Sequence, residues 1–99
     1  MTVYILEDNP KMNFISAQKY GELKPIFQQG SSVGLSPSHT QRYLENALKD
    51  FGDEDYIIPN GDPAIMIMAG FVLRGLTDVV TILKWDKVNY QYYPVTVEI

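Results

Sequence analysis

The sequence predicts a small α/β protein in which a mixed sheet of about five strands packs with two helices; an α+β arrangement is the alternative. Short β-branched and aromatic segments alternate with two segments of helical periodicity. The order strand, helix, strand between Tyr56 and Trp85 predicts a right-handed β-α-β crossover with parallel strands. Two strands separated by a short polar turn predict a C-terminal hairpin. A chain of 99 residues is expected to form a single domain over residues 1–99.

The N-terminal part of the chain is predicted to supply two strands. Thr2–Leu6 is rich in β-branched and aromatic residues, which favour a strand. Lys11–Gly21 has no clear period and is expected to be mostly loop. Glu22–Gln28 alternates like a strand but contains Pro25, which has no N–H to donate to a neighbouring strand. This second strand is therefore predicted to lie at an edge of the sheet.

A first helix is predicted after the loop Gln29–Pro37, which is rich in glycine and serine. Ser36 is a suitable N-cap, Pro37 suits the first helical position, and Gly52 follows the predicted end. The apolar stripe of this helix recurs at helical spacing and is expected to face the core; it comprises Tyr43, Leu44, Ala47, Leu48 and Phe51.

A second helix, Ala64–Arg74, is predicted to follow the short buried strand Tyr56–Ile58. Asp62 is expected to cap this helix, Pro63 to begin it and Gly75 to end it. The helix is apolar all round, so nearly every side of it requires cover.

The predicted C-terminal hairpin consists of Asp78–Trp85 and Tyr90–Ile99, joined by Asp86–Asn89. Side chains alternate between the two faces of a strand. One face of the last strand is therefore expected to carry Tyr93, Val95, Val97 and Ile99.

Composition argues against several functional classes. Eight basic and twelve acidic residues give a formal net charge of −4, and the dispersed basic residues form no stripe for general nucleic-acid binding. The absence of cysteine excludes a disulfide framework and a thiolate zinc site. The apolar stretch Ala64–Leu73 is too short to span a bilayer, and the N-terminus does not resemble a signal peptide. We expect a cytoplasmic protein with no membrane contact and no cofactor.

The turn Asn60-Gly61-Asp62 is the most specific local feature of the sequence. A turn before a helix exposes backbone N–H groups that can bind an anion, but Asp62 at the cap position disfavours phosphate and suits a metal or polar ligand better. Capping is the favoured interpretation, with Asn60, Gly61 and Asp62 as the candidate ligand-binding residues. No catalytic residue is predicted, because the sequence places no nucleophile and acid near the only histidine, His39.

Two apolar surfaces predict self-association. The second helix offers Met68 and Val72, and the aromatic hairpin offers Trp85 and Tyr92. Because twofold pairing is the commonest closed arrangement, we expect a homodimer. The sequence leaves open which of the two surfaces forms the interface.

Four segments of the sequence resemble small proteins of marine tailed bacteriophages: MNFISAQKYG, DYIIPNGDPA, LKWDK and YYPVTVEI. In these proteins a GDP-type turn opens an apolar helix, and an LKWD strand leads into a YYP-type C-terminal strand. The resemblance is closer in the second half of the chain than in the first. It implies a phage or marine source and expression inside a bacterium, and it implies no particular activity.

Two functional hypotheses follow. The first is a non-enzymatic, phage-encoded interaction domain that binds a host or phage protein, because the sequence shows no catalytic constellation and carries much apolar and aromatic surface. The second is a small enzyme or a nucleotide- or metal-binding domain. Its site is expected at Asn60–Asp62, because open α/β sheets bind ligands at the carboxyl ends of their strands.

Overall fold

The computed structural model describes residues 1–30 and 36–98, so the predicted loop Gln29–Pro37 lies partly outside the described residues. Its centre is a five-stranded sheet in the order β2-β1-β3-β4-β5, in which only β5 runs antiparallel to its neighbour. The strands are β1 (Thr2–Asp8), β2 (Glu22–Gln28), β3 (Tyr56–Ile58), β4 (Val79–Asp86) and β5 (Gln91–Glu98). The α/β class, the mixed sheet and the C-terminal hairpin are confirmed.

Two helices cover one face of the sheet. They are α1 (Pro37–Ala47) and α2 (Pro63–Arg74), which pack on each other and on the sheet. The core on this face is made by apolar residues of both helices and of β1 to β4, with Leu48 and Phe51 after α1: Tyr4, Leu6, Ile26, Leu44, Leu48, Phe51, Ile57, Ile65, Ala69, Leu73 and Val80.

The opposite face is covered by a short 3-10 helix, Ile15–Tyr20. The expectation that Lys11–Gly21 is mostly loop is therefore wrong for these six residues. Ala17 is completely buried against a second core cluster, which includes Val3 and Ile5 of β1. This packing holds the two-turn helix against the sheet, although the sequence has too few apolar positions to show a helical period.

The first helix ends earlier than predicted. Its last residue is Ala47 and Leu48 is its C-cap, whereas Gly52 was expected to mark its end. A tight turn follows, in which the Phe51 N–H donates to the Leu48 carbonyl over 2.9 Å. This turn brings the Phe51 ring to 5.4 Å from the ring of Tyr4, so the apolar stripe continues into the core without a continuous helix.

Both edge strands contain a proline: Pro25 in β2 and Pro94 in β5. The predicted edge position of β2 is confirmed. Tyr93, Val95 and Val97 share one face of β5, on the helix side of the sheet, and are about two-fifths exposed. Ile99 lies outside the described residues. Among the described residues, no helix is long and apolar enough to cross a membrane.

The crossover predicted from β3 through α2 to β4 connects parallel strands, as expected. The chain leaves the adjacent strands β1 and β3 in opposite directions, since β1 leads to β2 and β3 leads to β4. In open α/β sheets, such a change of direction creates a crevice at the carboxyl ends of the strands. The turn after β3 lies at this crevice.

Candidate functional site

Asn60 closes the crevice between β1 and β3. Its Oδ1 accepts a hydrogen bond from the Glu7 N–H over 3.0 Å, and its Nδ2 donates to the Glu7 carbonyl over 2.7 Å. Asn60 is buried, with 8% of its surface exposed. Its side-chain amide thus extends the pairing of β1 beyond the end of β3 and satisfies two backbone groups of Glu7.

Gly61 allows the Glu7 side chain to lie against the turn. Its φ of 91° is in the region that favours glycine, and a Cβ atom at this position would lie 2.9 Å from the Glu7 Cβ. The Glu7 Oε1 also accepts a hydrogen bond from the Gly30 N–H over 2.9 Å. Glu7 therefore connects the ends of β2 and β3.

Asp62 is the N-cap of α2, as predicted. Its Oδ1 accepts a hydrogen bond from the Ala64 N–H over 2.9 Å, and Pro63 begins the helix. The carboxylate is also favourably placed relative to the helix dipole. In residues 1–30 and 36–98, no group of three or more histidine, aspartate or glutamate side chains is arranged to hold a metal ion.

The three candidate ligand-binding residues therefore lie together at the crevice, where Asn60 and Asp62 bond backbone groups and Gly61 makes room for Glu7. Glu7 was not among the predicted residues of this site. The only signal for it was an acidic residue near the end of a predicted strand, and nothing in the sequence connects that residue to Asn60.

The candidate interface residues lie mostly inside the fold. Met68 and Val72 are half-buried and pack against the core on the helix side of the sheet. Tyr92 is buried, and the half-buried Trp85 makes an edge-to-face contact with it at a ring distance of 5.0 Å. A dimer that uses these side chains as its main contacts would need them to become exposed.

The exposed apolar surface of α2 lies at Ile67 and Phe71, one turn apart and 60% and 71% exposed. We call these two residues the α2 ridge. The α2 groove lies beside it, between α2 and strands β4 and β5, with a volume of about 320 Å³. Arg74 is the only charged residue in its lining, which otherwise consists of Leu6, Ile57, Pro59, Met66, Ala69, Gly70, Leu73, Val80, Ile82 and Val97.

The turn of the hairpin is fixed by Asp86. Its carboxylate accepts hydrogen bonds from the Asn89 side chain over 2.9 Å and from the Val88 N–H over 2.9 Å. These bonds lower the pKa of Asp86, with the Asn89 side chain as the largest cause. Tyr90 follows with a φ of 51°, which completes the reversal of the chain. The turn lies at Lys87–Tyr90, one residue later than the predicted Asp86–Asn89, because Asp86 still pairs with Gln91 in the hairpin.

Comparison with known proteins gives one informative result. No curated protein and no solved structure matches the chain. A family described as "Phage Pam3 gp32-like protein" matches residues 1–99. This match supports the phage origin that the resemblance of the four sequence segments implied. The chain belongs to the phage Pam3 gp32-like protein family.

Proposed function

We propose that this phage protein is a non-enzymatic interaction domain that forms a homodimer through the α2 ridge and the α2 groove. The observation that carries this proposal is the exposure of Phe71 and Ile67 beside an apolar groove. A ridge next to a groove on one surface is self-complementary, because a twofold axis brings each ridge to the partner's groove.

The geometry of α2 favours such close contact. Gly70 is exposed at the rim of the groove, and a Cβ atom at this position would meet no other atom within 4 Å. A second protomer can therefore approach the helix backbone at this point. Full burial of an exposed side chain such as Phe71 contributes roughly 1.5–3 kcal/mol. A twofold interface gains this contribution twice, before the entropic cost of association.

Sedimentation velocity at micromolar concentration tests the proposal. We expect a species of twice the 11.3 kDa chain mass. Phe71→Glu and Val97→Lys are expected to give monomers, since each places a charge in the interface. Matched controls are Ile15→Glu, at a residue 73% exposed on the 3-10 helix, and Val88→Lys, at a residue 83% exposed in the hairpin turn.

The controls are expected to remain dimeric. Wild-type protein that sediments only as a monomer would contradict the proposal. So would a dimer that persists in both interface variants, because another surface would then hold it together. Circular dichroism of each variant establishes that loss of the dimer is not loss of the fold.

We further propose that the protein acts in the cytoplasm of an infected marine bacterium and binds a host or phage protein through this same surface. The family match supports the phage context. Fractionation of infected cells tests the location. If a partner is found, competition between that partner and self-association tests whether the α2 ridge is shared.

A further inference from the structure

A second cavity lies on the face of the sheet opposite the helices, at the carboxyl end of β3. Strand β3 pairs with β4 only through Tyr56 and Ile57, so β4 continues beyond it toward Asp86 with no strand on that side among the described residues. The space left beyond Ile58 is a cavity of about 270 Å³, which we call the β3 notch. Its lining comprises Met12, Ile58, Pro59, Asn60, Ile82, Leu83, Lys84, Trp85 and Tyr92.

The notch continues into a neighbouring cavity of about 340 Å³, which adds Lys11 and Asn13. The two cavities share Met12, Trp85 and Tyr92. The notch and the neighbouring cavity, taken as one continuous space, reach the size that is typical of small-molecule sites. Their position also matches the region where open α/β sheets bind ligands, at the carboxyl ends of strands.

The walls of the notch favour an aromatic ligand. Trp85 and Tyr92 form a T-shaped pair, and Ile58 and Leu83 are buried apolar residues beside them. Aromatic rings gain both apolar burial and edge-to-face contacts from such a wall. Met12 is 37% exposed, and its flexible thioether side chain can adapt to a bound ring.

The charge of the notch favours an anion. Lys11 lines the neighbouring cavity and makes no ion pair within the described residues. Lys84 is the other charged residue in the lining, but it pairs in register with Tyr93, so its side chain projects to the helix side of β4, away from Trp85 and Tyr92. The nearby carboxylate of Asp86 is bonded to the hairpin turn and is not part of the lining. The Lys11 ammonium is therefore the charged group available to a ligand that packs on Trp85 and Tyr92.

We propose that the β3 notch and its neighbouring cavity bind a small aromatic carboxylate, with the ring against Trp85 and Tyr92 and the carboxylate at Lys11. This site is separate from the α2 groove and does not depend on dimer formation. It develops the ligand-binding hypothesis at the end of β3 with different residues, because the polar atoms of Asn60 are bonded to Glu7.

Trp85 is the only tryptophan, so its indole N–H gives one unambiguous signal in a ¹H–¹⁵N NMR spectrum. We would titrate three probes: 1-naphthylacetate, its neutral analogue 1-naphthylacetamide, and the non-aromatic anion cyclohexylacetate. We expect 1-naphthylacetate to shift the Trp85 signal with millimolar or tighter affinity. The amide is expected to bind about threefold to fivefold more weakly, as suits the loss of a partly exposed charge pair. The non-aromatic anion is also expected to bind more weakly, because it lacks the edge-to-face contacts with Trp85 and Tyr92.

Lys11→Met keeps the apolar stem of the lysine and removes its charge. Lys87→Met in the exposed turn is the matched control, and Lys84→Met removes the charge of the lysine on the other face of β4. Lys11→Met is expected to weaken 1-naphthylacetate binding about threefold to fivefold and to leave binding of the amide unaffected, whereas Lys84→Met and Lys87→Met change neither. The proposal is overturned if no probe shifts the Trp85 signal, if acid and amide bind equally, or if Lys11→Met leaves the affinity for 1-naphthylacetate unchanged.

Discussion

The side-chain amide of Asn60 pairs with both backbone polar groups of Glu7, at 3.0 and 2.7 Å, across a separation of 53 residues. A neighbouring strand would normally supply these two bonds, but β3 has already ended at Ile58. One side chain thus substitutes for a strand residue at the crevice.

Asn60→Ala is therefore expected to lower the free energy of unfolding by about 2–4 kcal/mol, because it leaves two partly buried backbone groups of Glu7 without partners. Chemical denaturation measures the effect. Asn13→Ala, at an exposed asparagine, is the control and is expected to change stability by less than about 0.5 kcal/mol. Equal effects of the two substitutions would show that the Asn60 amide bonds contribute little.

The two helix N-termini allow a matched comparison of capping. The Asp62 side chain accepts a hydrogen bond from the Ala64 N–H, whereas the Ser36 side chain makes no capping bond at the start of α1. Asp62→Ala is expected to cost about 0.5–2 kcal/mol of stability, and Ser36→Ala much less. Thermal or urea unfolding of both variants checks this. An Asp62→Ala midpoint equal to that of wild type would reopen a ligand-binding role for this carboxylate.

Gly30 and Gly61 have similar positive φ values, 83° and 91°, but different surroundings. A Cβ atom at Gly30 would meet nothing within 4 Å, whereas one at Gly61 would contact Glu7 at 2.9 Å. Gly30→Ala is expected to cost about 1–2 kcal/mol for the backbone conformation alone. Gly61→Ala is expected to cost at least about 1 kcal/mol more, because Glu7 must also move. Similar losses in the two variants would mean that Glu7 moves freely.

Tyr4 is expected to make the free energy of unfolding vary with pH in the alkaline range. Burial raises the pKa of this phenol above 10.0, and the carboxylates of Asp55 and Asp50 raise it further. Above pH 10 the unfolded chain therefore loses the proton while the folded chain keeps it, so the free energy of unfolding falls as pH rises. One such group contributes a slope of at most about 1.4 kcal/mol per pH unit.

Tyr4→Phe is expected to reduce this slope, measured by urea unfolding between pH 9 and 11. Tyr90→Phe is the control, because Tyr90 is 75% exposed. Tyr92, whose pKa is also raised by burial, is expected to retain part of the pH dependence in both variants. Identical slopes for wild type and Tyr4→Phe would contradict the assignment.

Local patterns predicted most of the elements. The bounds of β2 and β3 are as predicted, and so is the cap of α2, because alternation and cap chemistry are encoded by adjacent residues. The bonds between Asn60 and Glu7 have no such local signature. The sequence also does not indicate which side of α2 is exposed. A helix that is apolar all round has no polar face to distinguish the exposed Ile67 and Phe71 from the half-buried Met68 and Val72.

The prolines of the two edge strands affect how the protein behaves when it is concentrated. A free sheet edge is a template for another strand, and repeated addition of strands is the route to fibrils. Within a sheet, proline is tolerated where its nitrogen faces away from the neighbouring strand. Pro25 and Pro94 therefore each remove a donor from an outer edge, near the middle of β2 and of β5. Growth of the sheet from one molecule to the next is interrupted at both ends, so this protein is expected to resist fibril formation even at high concentration.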